Sequence, residues 1–370
     1  MNKPLKITLI SLGSLLGLVL IVAIIACWLV LTPTRLTAIV RNQAPNFINC
    51  DFDIEQADLT IVKSFPKVGL KINEVLLVNP MEGSPSDTIA FIDECIVSVD
   101  IKKFLNEDLI IIDDCRLNGG YVNLFIDEKG NSNLDIFPPS EPDTTEDVSS
   151  FNYGIDLAML KFNNVTLNYT DISQGLFADV HNMNMSAKGK MNENILTGNV
   201  NLTLQNLDFK QTTDSTAMDV KLNNLKMEGD AEMIGDNIKA DVKASSSDFL
   251  YESDGQIAEF DSFNFKYKGN INNYDAIDGN VELALDELSF LMDSETLLDK
   301  ANVKMIVPLN ANLSTMNVEF GASQFALNNI FIDIIGKASM PSDDINVDLN
   351  IKTNTLIVEE LIELVPASMR

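Results

Sequence analysis

The chain has 370 residues, enough for two or three ordinary domains or one elongated one, and at 46% hydrophobic it can build a core. Its formal charge is −28. The basic residues Lys3, Lys6, Arg35 and Arg41 and no acid fall in residues 1–41, so the body that follows is more acidic still, and such a surface repels phosphate backbones and excludes nucleic acid as a partner.

Residues 7–31, "ITLISLGSLLGLVLIVAIIACWLVL", carry no charge. A run from Ile7 through Leu20 to Leu31 is long enough to span a bilayer as a helix. Lys3 and Lys6 precede it, and Trp28 lies where an interfacial aromatic anchor is expected. Residues 1–6 are therefore expected on the cytoplasmic side and the acidic body on the other. A cleavable signal peptide has a shorter apolar region, about 7–15 residues, and a small-x-small site. "IIAC" at 24–27 is similar to a lipobox that would lipidate Cys27, but "WLVL" continues the apolar run past it. An uncleaved signal anchor is the preferred reading.

The segment 32–137 reads as one β module opened by a short helix. Thr32 can cap, Pro33 suits a first helical position, and Leu36, Ile39 and Val40 share a face, which predicts an amphipathic helix over 33–42. From Cys50 the period becomes two. Val68, Leu70 and Ile72 alternate with Lys67, Gly69 and Lys71. Ile89, Phe91, Cys95, Val97, Val99 and Ile101 share a face interrupted by Asp93. Val122, Leu124 and Ile126 form another strand. "KKFLNED" (102–108) reads as helical. "DEKGNSNLDIF" (127–137) is similar to a cation loop, but its spacing fails: from Asp127, Lys129 stands third, Gly130 fourth and Pro138 twelfth. It reads as a hairpin tip, with Gly130 free to take positive φ and Asn131 and Asn133 free to bond the backbone. Cys50, Cys95 and Cys115 contain no CxxC pair. A Cys95–Cys115 disulfide and buried free thiols both stay open.

"PPSEPDTTEDVSS" (138–150) is an exposed linker or long loop. Beyond it, residues 151–370 repeat. Gly189, Gly229 and Gly269 are spaced by 40 residues, and each ends a similar strand: "NMNMSAKG", "NNLKMEG" and "FNFKYKG". Matching strands lie upstream at "VTLNY", "NLDF" and "SDFLY". The unit is read as a strand, an Asp-containing turn, a return strand ending in Gly, and a third strand such as "NVNLTLQ" or "NVELALDE". A propeller of that period needs Gly-His and Trp-Asp signatures, which are lacking, so a continuous antiparallel meander fits better. "LIVEELIELVPASMR" predicts a closing short helix. About 17–20 strands at ~4.8 Å apiece give a sheet of roughly 80–95 Å.

Enzyme signatures are thin. His181 is the sole histidine, so a zinc site lacks ligands. No GxSxG, GxxxxGK[ST] or GxGxxG occurs, and nothing singles out two of the 54 acids for glycosidase chemistry. The expectation is a non-enzyme without cofactor or metal.

An order of motifs carries a family. The membrane run is followed by "LTPTRLTAIV", then "SFPKVGLKINEVLLVNP" (64–80), "FIDECIVSVDIKKFLNEDLIIIDDCRLNGGYVNLFID" (91–127) and "EKGNSNLDIF" (128–137). The chain resembles the AsmA family of bacterial envelope proteins over nearly its whole length, including the "VTLNYTD" modules. The resemblance implies an inner-membrane anchor, a periplasmic body and an elongated, curled antiparallel sheet with a few short helices. It implies phospholipid as cargo, a role in lipid transport and outer-membrane assembly, and envelope proteins as further partners. It also implies that "ELVPASMR" is an interior segment of a longer protein or the end of a short member. The groove would be lined by Val68, Leu70, Ile72, Val97, Val99, Val165, Leu167, Met183, Met185, Val200, Leu202, Leu204, Phe263, Phe265, Val281 and Leu283. Methionines suit a variable ligand. A structural or regulatory envelope protein with a closed β core is the alternative, and a surface adhesin of β repeats a third reading.

Overall fold

The computed structural model describes residues 32–46, 48–61, 67–100, 109–136, 152–192, 195–213, 217–273, 275–340 and 345–353. The expected membrane helix, the helix at 102–108, the linker and the closing helix lie outside these residues. Among the described residues no helix is long and apolar enough to cross a membrane.

The chain enters through helix α1 (Pro33–Gln43) and a 3-10 turn (Ala44–Asn46). Pro33 occupies the first turn, where its missing N–H costs nothing. Thr32 holds the N-cap position, but its side chain makes no capping bond; its carbonyl accepts from Leu36 N at 3.0 Å instead.

Among the described residues every other regular element is a strand: β1 (Phe52–Asp53), β2 (Gln56–Ile61), β3 (Lys67–Val78), β4 (Thr88–Asp100), β5 (Leu109–Asn118), β6 (Tyr121–Ile126), β7 (Asn152–Asp171), β8 (Leu176–Asn192), β9 (Ile195–Thr212), β10 (Ala217–Ile234), β11 (Asn237–Ser253), β12 (Gln256–Asn272), β13 (Ala276–Met292), β14 (Glu295–Asn312), β15 (Asn317–Leu327), β16 (Ile330–Ser339) and β17 (Asn346–Thr353). All seventeen belong to one long curled sheet. β1 and β2 share one side of β3, and β6 continues β5 beyond Gly119 and Gly120. The strands therefore fill fifteen side-by-side positions, which is roughly 70 Å at about 4.8 Å per step. That is shorter than the sequence expectation, which counted the broken strands separately.

The sheet is mixed, not purely antiparallel. β7 runs parallel to both β5 and β6. A parallel pair needs a crossover of a dozen or more residues, and the stretch between Ile126 and Asn152 supplies it. Hairpins with short turns carry the chain antiparallel from β7 to β17. The 40-residue period is thus a pair of strands, each 17 or 18 residues long over β8–β14. "NVNLTLQ" and "NLDF", expected as separate strands, are the two halves of β9. Gly189, Gly229 and Gly269 lie inside β8, β10 and β12, not at their ends.

A kink near the middle of many strands explains the misreading. In β10 the half-buried apolar side chains are Met218, Val220 and Leu222, then Leu225, Met227 and Met233, so the parity changes at Asn223–Asn224. Asn224 has φ 52°, and the register shifts beside it. Glu74, Asn164, Asn182, Asp248, Glu287 and Lys300 take the same left-handed conformation in their strands. A bulge of this kind turns the strand by one residue, which keeps one face apolar through both halves. Glu74 makes its kink in β3 where the register passes Asp93, the residue that interrupts the expected face of β4, and Ile101 at the end of that face lies outside the described residues.

The glycines mark a line of close approach. Gly189 lies opposite Gly198, Gly198 opposite Ala231, Ala231 opposite Ala240, Ala240 opposite Gly269, and Gly269 opposite Gly279. A Cβ on Gly269 would stand 2.2 Å from Asp278 O, and one on Gly279 would stand 2.7 Å from Lys268 O. Gly229 lies off this line, opposite Val200 and Val242, where a Cβ would meet only Val242 Cγ2 at 3.7 Å. Gly269→Ala is expected to cost about 1–3 kcal/mol through overpacking, and Gly229→Ala to change stability by no more than about 0.5 kcal/mol. Urea midpoints measure both; equal effects would show that the line is not tightly packed.

Candidate functional site

Register decides what the strands do together, because directly opposed residues point to the same face. Starting at the first position, Ala57 lies opposite Ile72, Ile72 opposite Cys95, and Cys95 opposite Leu117. Across the parallel pair Leu117 adjoins Phe162, and Phe162 adjoins Met185. The row continues through Leu202, Met227, Ala244, Phe265 and Leu283. It reaches Met305, Phe325 and Ile332 and ends at Thr353. One lateral line therefore crosses all fifteen positions, and only its last residue is not apolar.

A second row runs beside it. Leu59, Leu70, Val97, Cys115 and Leu160 lead to Ala187 and Val200. Gly229, Val242, Tyr267, Val281 and Val307 follow. Beyond the kinks, Val122, Leu167 and Val180 open a third row that continues through Leu207 and Leu222 to Phe249 and Phe260. The last two rings stack with centroids 4.5 Å apart.

Most of the expected lining residues fall on these rows. Ile72, Met185, Leu202, Phe265 and Leu283 lie on the first, Leu70, Val97, Val200 and Val281 on the second, and Leu167 on the third. Val165 pairs with Met183, Leu204 with Leu225, and Phe263 with Leu285. Val68 lies opposite Val99 in the register, but their side chains are outside the described part, as are Ile7, Leu20, Trp28 and Leu31. Sequence reading missed Phe162, Met227, Met305 and Phe325, although each stands in a period-two run that marks it.

This face lacks a covering layer. From Ile72 to Ile332 every residue of the first row is half-buried. Of the expected lining residues whose side chains are described, only Val165 and Leu204 are fully buried, at 2% and 7% exposure. A face-packed second sheet would have sealed them. The opposite face is wet: Lys226, Glu228, Asn264 and Lys266 alternate with Met227 and Phe265 and are exposed. Ion pairs span it, Lys266–Glu282 at 2.7 Å, Lys268–Asp241 at 2.7 Å and Lys300–Glu287 at 3.0 Å. Lys71 and Asn118 bond Glu94 there and hold its carboxyl below the usual range. Two hollows of about 630 and 710 Å³ lie over the glycine line, between rows of Lys, Asp, Glu and Asn. The expected lining residues border neither.

Among the described residues only α1 covers the apolar face, and it does so at one end. Leu36 packs with Ile54 and Ala57, and Val40, Phe52, Leu70, Ile72 and Val75 close around them. Thr37 Oγ1 accepts from the buried Ala57 N–H at 2.9 Å and donates to Pro33 O at 2.8 Å. Arg41 pairs with Asp53 at 2.9 Å and donates to Ile54 O. The first two positions of the central row are thus lidded, and the rest are open.

The "DEKGNSNLDIF" stretch is a turn, as expected. The Asp127 carboxylate accepts from Lys129 N, Asn131 N and Asn131 Nδ2, which holds its pKa below the usual range. Asn133 is buried, exchanges bonds with Phe125 and donates from Nδ2 to Asn123 O, so the turn folds back on β6. Of the described thiols, Cys95 and Cys115 come together and Cys50 stands apart from them.

The model of the AsmA family matches residues 1–268. No curated protein and no solved structure matches the chain.

Thr37→Val keeps the shape of the side chain but leaves the buried Ala57 N–H unpaired, at a cost of about 1–3 kcal/mol. Hydrogen exchange over residues 33–43 and at Ala57 is expected to speed up, with β10–β12 unchanged. Unaltered exchange at α1 would show that the helix is held by its apolar contacts alone.

Proposed function

The chain belongs to the AsmA family, and from that premise we propose that it is an inner-membrane-anchored periplasmic protein that shields phospholipid acyl chains along its apolar sheet face. In this role it serves lipid transport and outer-membrane assembly. The supporting observation is the central row: an apolar line over fourteen of the fifteen strand positions, from Ala57 to Ile332, whose side chains stay half-buried from Ile72 onward. Exposed apolar area of that extent marks a binding surface. An acyl chain laid on it replaces the second layer that a sandwich would supply from protein. Headgroups stay at the open side in water.

The membrane run at 7–31 ties the chain to the inner membrane, and α1 sits at that end of the row. The chemistry is non-enzymatic: apolar contact lowers the cost of moving a lipid through water, and no bond is made or broken. At roughly 70 Å, one copy supplies one stretch of a path between membranes. Envelope protein partners would complete it.

Native mass spectrometry of the full chain, gently extracted in detergent, is expected to show bound phospholipid. Photocrosslinkers at Leu202 or Phe265 are expected to label lipid. Leu202→Glu is expected to lower lipid occupancy roughly tenfold, since a lost apolar contact of this size is worth about 1.5–3 kcal/mol. Its far-ultraviolet spectrum and melting temperature should stay near those of the parent, because the open face lets the carboxylate reach water. A closed core predicts the reverse, no lipid and a variant that unfolds around a buried charge.

A further inference from the structure

Cys95 and Cys115 lie on the first and second rows of the apolar face, and the lipid reading makes no use of their thiol chemistry. On adjacent antiparallel strands, Val97 lies opposite Cys115 and Cys95 lies opposite Leu117, so the two cysteines are diagonal neighbours on one face. The two thiols lie close enough to interact directly. Contact with Cys95 holds the Cys115 pKa below its ordinary value, while contact with Cys115 and burial push Cys95 up. A register shift follows immediately, between Ser98 and Val99 of β4, where the ladder to β5 is already irregular. Cys50 lies before β1, and burial and the nearby Asp51 push its thiol up.

We propose that Cys95 and Cys115 are a disulfide-forming pair that staples β4 to β5 across the apolar face near its helix-covered end. The strands so joined sit where the meander is interrupted, since β5 is the strand that β7 joins in parallel. A bond there closes a loop within one stretch of sequence and limits the unfolded chain.

The reaction is exchange with a disulfide-donating thiol oxidant. Cys115, as thiolate, attacks one sulfur of the donor disulfide. A mixed disulfide forms, and the donor's second sulfur leaves as thiolate. Cys95 then passes its proton to that thiolate and attacks the Cys115 sulfur. The Cys95–Cys115 bond forms, and the donor's first sulfur leaves and takes up a proton. The chain loses two electrons and two protons, and the donor gains both as a dithiol. Cys115 is the first nucleophile because contact with the Cys95 thiol favours its thiolate.

The test uses the full chain in detergent with oxidised glutathione as the probe. After incubation the protein is denatured, alkylated with iodoacetamide, digested and weighed. The expected product is a Cys95–Cys115 peptide pair, unalkylated and lighter by two hydrogens. In Cys95→Ser, Cys115 is expected to accumulate as the glutathione mixed disulfide. The oxidised parent is expected to melt several degrees above the Cys95→Ser, Cys115→Ser double variant. Recovery of both cysteines alkylated after oxidation, or a bond that runs through Cys50, overturns the proposal.

Discussion

Cross-strand register is the constraint on which the rest of this molecule depends. Each long strand carries an apolar and a polar series, and a slip of one residue would exchange them. Fourteen positions must agree for one face to stay apolar from Ala57 to Ile332. The kinks are what make agreement possible in strands of 17 or 18 residues. A residue in the left-handed region costs about 1–2 kcal/mol outside glycine. Side-chain bonds near these sites offset part of it. Asn224 donates to Ser247 Oγ at 2.9 Å, and Asn182 donates to Gln205. Asn206 donates to Asn223 at 2.7 Å in the adjoining strand. Asparagine recurs at the kinks because it tolerates positive φ and carries its own hydrogen-bonding group.

The strands themselves were legible in the sequence, and their lateral order was not. Alternation at Leu202, Phe265 and Leu283 is a local signal, and it pointed to the right face. That these three residues stand on one line with Met185 and Met227 is a nonlocal fact, set by turn lengths and kinks together. The Asn223–Asn224 kink was the main source of error. It breaks period two as a turn would, so one strand reads as two and a hairpin repeat reads as a three-strand unit. The parallel entry of β7 was hidden for a different reason. Nothing in "NYGIDLAMLKFNNVTLNYTD" distinguishes a parallel strand from an antiparallel one. Its direction comes from the crossover before it.

Glycine at fixed spacing also carried less than it suggested. Gly189 and Gly269 lie on the line of close approach, and Gly229 does not. The position on that line in β10 is filled by Ala231. The period reflects the length of a hairpin, not one repeated role. By contrast the turn at 127–136 is legible because its Asp127 contacts are local, whereas the bonds of Asn133 to β6 and of Asn49 to Ile136 are not. Asp127 bonds residues two and four positions ahead, and sequence spacing alone specifies such bonds.

The proposed lipid path gains conduction from this regularity, and no direction. Successive positions on the central row are Leu, Met, Ala, Phe and Leu, all half-buried and about 4.8 Å apart. An acyl chain moving from one to the next exchanges one apolar contact for another of similar size, so the landscape along the row is shallow. Net movement must then come from a difference between the two ends. The ends do differ: α1 covers the first two positions through Leu36 and Val40, and β17 leaves Val347, Leu349 and Ile351 exposed. On the proposed path, the packing of Leu36 and Val40 against the sheet is the first contact a lipid meets at the α1 end.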